Sequence, residues 1–84
     1  MELTGKNVFI SGSSRGIGAS MAVAFAKKGA NVALNARKIV PSELLDELKQ
    51  TGVQVEVILG DISQPADVKR MVKEAKAKFG QIDI

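Results

Sequence analysis

Residues 8–18 read VFISGSSRGIG, an apolar run that leads into a turn with three glycines and then into an amphipathic segment. A turn of this kind, between a strand and a helix, leaves backbone N–H groups exposed at the positive end of the helix dipole, where phosphate groups bind. Gly12 would allow a tight exit from the strand, Gly16 would let a ligand approach the backbone, and Gly18 would let the helix pack closely on the sheet. The stretch predicts a phosphate-binding corner; the alternative is a purely structural turn.

The rest of the chain repeats this strand–helix unit. Apolar and β-branched runs predict strands at Asn7–Ile10, Asn31–Ala36 and residues 53–59. Capping and stop signals predict helices from Gly16 to Lys28, from Pro41 to a stop at Gly52, and from about Gln64 to Phe79 with Ser63 as the N-cap. This alternation implies right-handed crossovers and a parallel sheet, which places the chain in the α/β class.

Apolar residues recur at helical spacing in each helix and predict the face that it buries. The residues expected on these faces are Ile17, Met21, Ala22, Phe25 and Ala26 in the first helix, Leu44, Leu45 and Leu48 in the second, and Val68, Met71, Val72, Ala75 and Phe79 in the third. Met21 and Met71 are expected to fill the core.

The end of the chain resembles the opening of a fourth strand, at Ile82–Ile84. The first strand would lie at the edge of a three-stranded sheet, with one row of its N–H and C=O groups unpaired. A parallel sheet also needs helices on both of its faces. The pattern predicts that residues 1–84 are the N-terminal portion of one larger domain, incomplete at the C-terminus.

Composition excludes several other classes of protein. The 84 residues are 45% hydrophobic with a net charge of +3, and they show neither a concentrated basic patch with aromatic residues nor a nucleic-acid reader motif. The lack of cysteine excludes a disulfide framework and a cysteine zinc site, and no metal site is predicted. The start is polar, and no apolar run approaches the roughly 20 residues of a membrane span. We expect a cytoplasmic protein without nucleic-acid or membrane partners.

The glycine spacing is Gly-x-x-x-Gly-x-Gly, and no Lys-Ser or Lys-Thr pair follows it, which excludes a Walker phosphate loop. With Ser11 in place of a threonine, this turn resembles the fingerprint of the short-chain dehydrogenase/reductase family. Asp61-Ile62-Ser63 and the run from Phe79 to Ile84 resemble further elements of that family. The resemblance is nearest to the β-ketoacyl-(acyl carrier protein) reductase branch. It implies the N-terminal βαβαβα part of a Rossmann-like, doubly wound parallel sheet that binds a dinucleotide.

The resemblance also implies a set of cofactor-binding residues. They are Gly12, Ser13, Ser14, Arg15, Gly16, Ile17, Gly18, Arg37, Asp61 and Ile62. The turn would hold the pyrophosphate, while the Asp61 carboxylate and the backbone that follows it would hold the adenine ring. Asp61 has an alternative interpretation, because a carboxylate just before a helix is favourable for its interaction with the helix dipole alone.

The end of the second strand indicates which dinucleotide would bind. An NAD site has an acidic side chain there to hold the ribose 2′-hydroxyl, but this chain has Ala36 followed by Arg37. Arg37 and Arg15 could flank the ribose from two sides, and guanidinium groups match a 2′-phosphate in charge and geometry. We therefore expect NADP(H); the alternative is that Arg37 is a solvated loop residue.

No residue of the chain is a candidate for catalysis. The resemblance implies a Tyr and a Lys four residues later, with a Ser and an Asn, but the chain has no Tyr, His or Cys. The parent protein would be an NADP(H)-dependent oxidoreductase of the carbonyl or 3-oxoacyl reductase type, homo-oligomeric, acting on a small-molecule or carrier-bound carbonyl substrate. The 84 residues alone are expected to be inactive. The alternatives are a non-catalytic dinucleotide-binding module and an inactive folded fragment.

Overall fold

A computed structural model describes residues 3–12 and 16–84. Its strands and helices alternate in the order β1 (Asn7–Ile10), α1 (Gly16–Lys27), β2 (Asn31–Ala36), α2 (Ser42–Lys49), β3 (Val55–Leu59) and α3 (Pro65–Phe79). The strands form one parallel sheet in the order β1-β2-β3, which confirms the predicted α/β, Rossmann-like fold. In this part of the chain, no helix combines the length and the apolar character that crossing a membrane would require.

The two faces of the sheet are covered by different helices. Residues at even positions of β2 face α1 and α2, in a core that includes Val32, Leu34 and Leu48. Ala33 faces the other way and packs with Ile58 and with the buried face of α3. Because successive side chains of a strand point to opposite faces, the central strand β2 is buried on both sides. This is the two-sided packing that defines a doubly wound sheet.

The buried faces of α1 and α3 are narrower than their apolar spacing predicts. Ala22 and Ala26 of α1 are buried, but Ile17 is 81% exposed and Met21 is 45% exposed, so the expectation that both lie in the core is wrong. The small alanines let α1 approach the sheet closely, while Ile17 and Met21 lie toward the outer edge of β1. The same holds for α3, where Met71 and Ala75 are buried and Val68 and Val72 are partly exposed.

Several predicted element boundaries differ from the structure, including the end of α1, which is at Lys27 instead of Lys28. Ser63 is not the N-cap of α3, because its N–H and hydroxyl both bind the Asp61 carboxylate, and the helix begins at Pro65 after Gln64. A side chain that binds the backbone two residues later forms a local turn that competes with the helix. Pro41 precedes α2 rather than joining its first turn, and β3 begins two residues later than predicted, at Val55.

The last residues run along the outer edge of β1. The Phe9 N–H donates to the Ile84 carbonyl oxygen at 2.9 Å, and the Asp83 N–H donates to the Asn7 carbonyl oxygen at 2.8 Å. The Asp83 carboxylate also accepts the Asn7 N–H at 2.8 Å, and the Asn7 side chain donates to the Gln81 carbonyl oxygen. The segment 82–84, where the opening of a fourth strand was predicted, is not a regular strand. Its backbone nevertheless pairs with β1, so the outer edge of β1 is not left unpaired.

This contact should make stability depend on pH. The Asn7 N–H, followed by the Gln81 side chain, holds the pKa of Asp83 below its ordinary value of 3.8. A carboxyl whose pKa is lower in the folded state stabilises the fold above its unfolded pKa, and this contribution is lost as the pH falls through the folded pKa. We expect the stability difference between the natural chain and Asp83→Asn, measured by urea unfolding, to shrink as the pH falls from about 7 to about 3. A difference that stays constant over this range would contradict the contact.

Candidate functional site

The carboxyl ends of the three strands border an open cleft of about 700 Å³. In open parallel α/β sheets, ligands bind in the crevice outside these strand ends. Three of the predicted cofactor-binding residues line the cleft: Gly12 after β1, Arg37 after β2 and Ile62 after β3. The fold therefore brings together residues that are 25 positions or more apart in sequence at one edge of the sheet.

Two described glycines of the glycine-rich turn have positive φ angles. Gly12 has a φ of 59° and Gly16 has a φ of 64°, both in the left-handed region that disfavours other residues. No atom of the described residues lies within 4 Å of a Cβ atom added at either position, so these residues leave the space next to this backbone open to a ligand. Gly16 is the first residue of α1, whose N-terminus can interact with an anion. The predicted contacts from Ser13, Ser14 and Arg15 lie outside the described residues.

Ile17 and Gly18 are found on a different surface from Arg37. They line a second cleft of about 370 Å³ beside β1, together with Met21, Phe25 and Ile84. Gly12 borders both clefts. Gly12 thus lies between an apolar cleft at the β1 edge and the larger cleft above β2 and β3.

Arg37 of the cleft wall forms an ion pair with Asp61, the residue before the lining residue Ile62. Arg37 Nε lies 3.8 Å from Asp61 Oδ2, and the Arg37 side chain is 79% exposed. An ion pair this exposed contributes little to stability. Because the contact uses Nε, it leaves the two terminal amino groups of the guanidinium to donate to an anion in the cleft.

The Asp61 carboxylate is kept ionised by its neighbours. Its Oδ1 accepts the Ser63 hydroxyl at 2.7 Å and the Ser63 N–H at 2.9 Å. These bonds, with a smaller contribution from Arg37, hold the pKa of Asp61 below its ordinary value. The acidic residue in the first turn of α3 is Asp67, whose carboxylate accepts the Asp61 N–H at 3.0 Å. The Asp61 side chain is therefore held beside Arg37 in an orientation that the Ser63 hydrogen bonds fix.

Sequence reasoning missed part of the cleft wall. Asn35, Lys38, Ile39 and Pro41 line it as well as the predicted residues. Asn35 could have been found, because it is a polar residue inside an apolar strand. The other three belong to the stretch after β2, where no periodic pattern indicates which side chains face the cleft.

The comparisons with known proteins agree with this geometry. Residues 6–84 match the family model for short chain dehydrogenase. The chain is 38% identical to a hydroxynaphthalene reductase-like protein of Metarhizium robertsii, with 98% of the chain covering 32% of that protein. It is 36% identical to the 3-oxoacyl-[acyl-carrier-protein] reductase FabG of Staphylococcus epidermidis, with 94% of the chain covering 33% of that protein.

A solved structure extends the comparison to the fold. An NADH-dependent reductase in complex with NAD superimposes with a TM-score of 0.87 at 35% identity, with 96% of this chain covering 34% of that one. The chain thus spans about a third of the length of the relatives that it matches.

Proposed function

Because the chain belongs to the short-chain dehydrogenase/reductase family, we propose that it forms the adenosine- and pyrophosphate-binding portion of an NADP(H)-dependent oxidoreductase. The observation that carries this proposal is the position of Arg37 on the cleft wall, directly after the uncharged Ala36. The family binds a nicotinamide dinucleotide, and the cleft at the carboxyl edge of the sheet is where such a ligand fits.

The choice of NADP(H) over NAD(H) rests on charge. A 2′-phosphate carries about −1.5 to −2 charges near neutral pH if it titrates like other phosphomonoesters. The exposed guanidinium of Arg37 offers two terminal amino groups to that phosphate, and Ala36 presents no carboxylate to repel it. The NAD-bound neighbour has the same fold, so the fold alone does not select NADP(H), and the proposed selectivity would come from side chains at this position.

The remaining predicted residues would bind different parts of the cofactor. The open backbone at Gly12 and Gly16 would hold the pyrophosphate, with Ser13, Ser14 and Arg15 beside it. Asp61 and Ile62 would bind the adenine ring, since both belong to the segment that follows β3 at the cleft. Nicotinamide chemistry would be supplied by the reduced or oxidised cofactor when it is bound.

The substrate of the whole protein would be a carbonyl compound, either a small molecule or a thioester carried by a protein. The names of two relatives support this, since one is a 3-oxoacyl-[acyl-carrier-protein] reductase and the other is hydroxynaphthalene reductase-like. The whole protein would be a homo-oligomer, and the catalytic Tyr and Lys would come from residues that correspond to the other two thirds of the relatives. A non-catalytic dinucleotide-binding module is the second candidate, because the 84 residues contain no Tyr, His or Cys.

A titration of the 84-residue chain with NADPH and with NADH tests the proposal. We expect NADPH to bind about tenfold more tightly or better, because hydrogen bonds to charged groups are worth about 1.5–3 kcal/mol. We also expect no NADPH oxidation when a 3-oxoacyl thioester is added. Tighter binding of NADH would contradict the NADP(H) assignment, absence of binding by either would contradict the nucleotide site, and turnover would contradict the expected inactivity.

A further inference from the structure

Asn35 is a polar side chain inside the core of the sheet. It is 2% exposed, and among the described residues only Asn7 shares with it the combination of burial and a polar side chain. A buried amide is costly unless it is hydrogen-bonded, so its partners indicate what it does. Asn35 lies near the end of β2, the central strand, one residue before the position that distinguishes the two dinucleotides.

The Asn35 amide connects the two strands on either side of it. Its Oδ1 accepts the Gly12 N–H at 3.2 Å, and its Nδ2 donates to the carbonyl oxygens of Ile58 at 3.1 Å and Gly60 at 3.2 Å. Nδ2 also lies 3.1 Å from the sulfur of Met71. The orientation of the amide is fixed by these partners, because a backbone N–H must face the oxygen and carbonyl oxygens must face the nitrogen.

These partners belong to the two segments that would hold different parts of the cofactor. Gly12 opens the turn that would bind the pyrophosphate, and Gly60 directly precedes Asp61, which would bind the adenine ring. We propose that Asn35 is a positioning residue that holds the Gly12 turn and the Gly60–Asp61 segment at a fixed separation, so that both engage one dinucleotide. This inference rests on the proposed function, since it concerns the same cleft.

The chain contains a matched control for this role. Asn31 lies at the other end of β2, four residues earlier and therefore on the same face of the strand. Its side chain also bridges the neighbouring strands: Nδ2 donates to Asn7 Oδ1 at 3.0 Å, and Oδ1 accepts the Gln54 N–H at 3.0 Å. Substitution of Asn31 thus removes a comparable bridge at the edge of the sheet opposite to the cleft.

The experiment compares Asn35→Ala, Asn35→Thr and Asn31→Ala in the 84-residue chain. Urea unfolding, hydrogen exchange at the Gly12 amide and NADPH affinity are measured for each, with affinity corrected for the folded fraction. We expect Asn35→Ala to weaken NADPH binding about tenfold and to speed Gly12 exchange by a similar factor, because one lost hydrogen bond is worth about this much. Thr has one hydroxyl and can replace one of the two bridges, so Asn35→Thr should fall between the natural chain and Asn35→Ala.

Asn31→Ala should leave NADPH affinity and Gly12 exchange within about twofold of the natural chain, even where its loss of stability equals that of Asn35→Ala. Equal losses of affinity in the two alanine variants would overturn the inference in favour of a general structural role, as would unchanged Gly12 exchange in the Asn35 variants. If Asn35→Ala does not fold, Asn35→Thr decides by the same criteria. If the natural chain binds no NADPH, the proposed function fails, and Gly12 exchange alone decides whether Asn35 holds the turn.

Discussion

Replacing Arg37 by aspartate should weaken NADPH binding about a hundredfold or more while leaving NADH binding within a few-fold of its original value. The substitution removes the guanidinium that faces the cleft and puts a carboxylate there, which would repel a 2′-phosphate and can accept a hydrogen bond from a ribose 2′-hydroxyl. Titrations of the natural and variant chains with both dinucleotides measure the change. This is the largest binding effect that we expect from any single residue of the cleft.

The control for this prediction is Lys73→Asp. Lys73 is an exposed residue of α3, and its substitution changes the net charge of the chain by the same amount. It should reduce NADPH binding only slightly, since Lys73 does not line the cleft and interactions between exposed charges are screened at physiological salt. Equal losses of NADPH and NADH affinity in Arg37→Asp would refute the assignment of Arg37 to the 2′-phosphate.

Ile58→Ala should cost about 2–5 kcal/mol of unfolding free energy, the usual range for a large aliphatic residue replaced in a core. Ile58 of β3 is fully buried against Ala33, Met71 and Ala75, on the face of the sheet that α3 covers. Domains have about 0.05–0.15 kcal/mol of stability per residue, so a chain of 84 residues should have only about 4–13 kcal/mol in total. Urea unfolding should show a large downward shift of the midpoint.

A matched substitution separates burial from residue type. Ile39→Ala removes the same atoms from a side chain that is 76% exposed. Its effect on unfolding should stay within about 0.5 kcal/mol, as for most surface substitutions. Similar midpoints for the two variants would contradict the packing of α3 on Ile58.

The strands follow from local sequence because β1 and β2 are short, largely apolar runs with clear ends. The errors arise where contacts with other residues, rather than residue type or spacing, determine the structure. Ile17 and Met21 lie at helical spacing with Ala22 and Ala26, but the spacing cannot show that only the alanines meet the sheet. Serine favours the N-cap position, but Ser63 instead donates its N–H and its hydroxyl to the nearby Asp61 carboxylate.

The candidate site likewise contains features that local sequence predicts and one that depends on contacts between distant residues. The glycine turn and Arg37 could be found because their chemistry is local: a left-handed backbone, and a cation directly after a strand. The role of Asn35 could not be found in this way, because its partners Gly12, Ile58 and Gly60 are 23 or more positions away and become neighbours only when the sheet forms. A polar residue in a buried strand indicates that such partners exist without identifying them.

The most direct test of the nucleotide site is a map of backbone amide chemical shifts of the ¹⁵N-labelled chain during titration with NADPH. We expect the largest changes at the carboxyl edge of the sheet, at Gly12, Gly16, Arg37, Asp61 and Ile62. Changes that centre instead on Asn31, Gln54 and Lys78 at the opposite edge, or no changes at saturating NADPH, would contradict a dinucleotide site in this cleft.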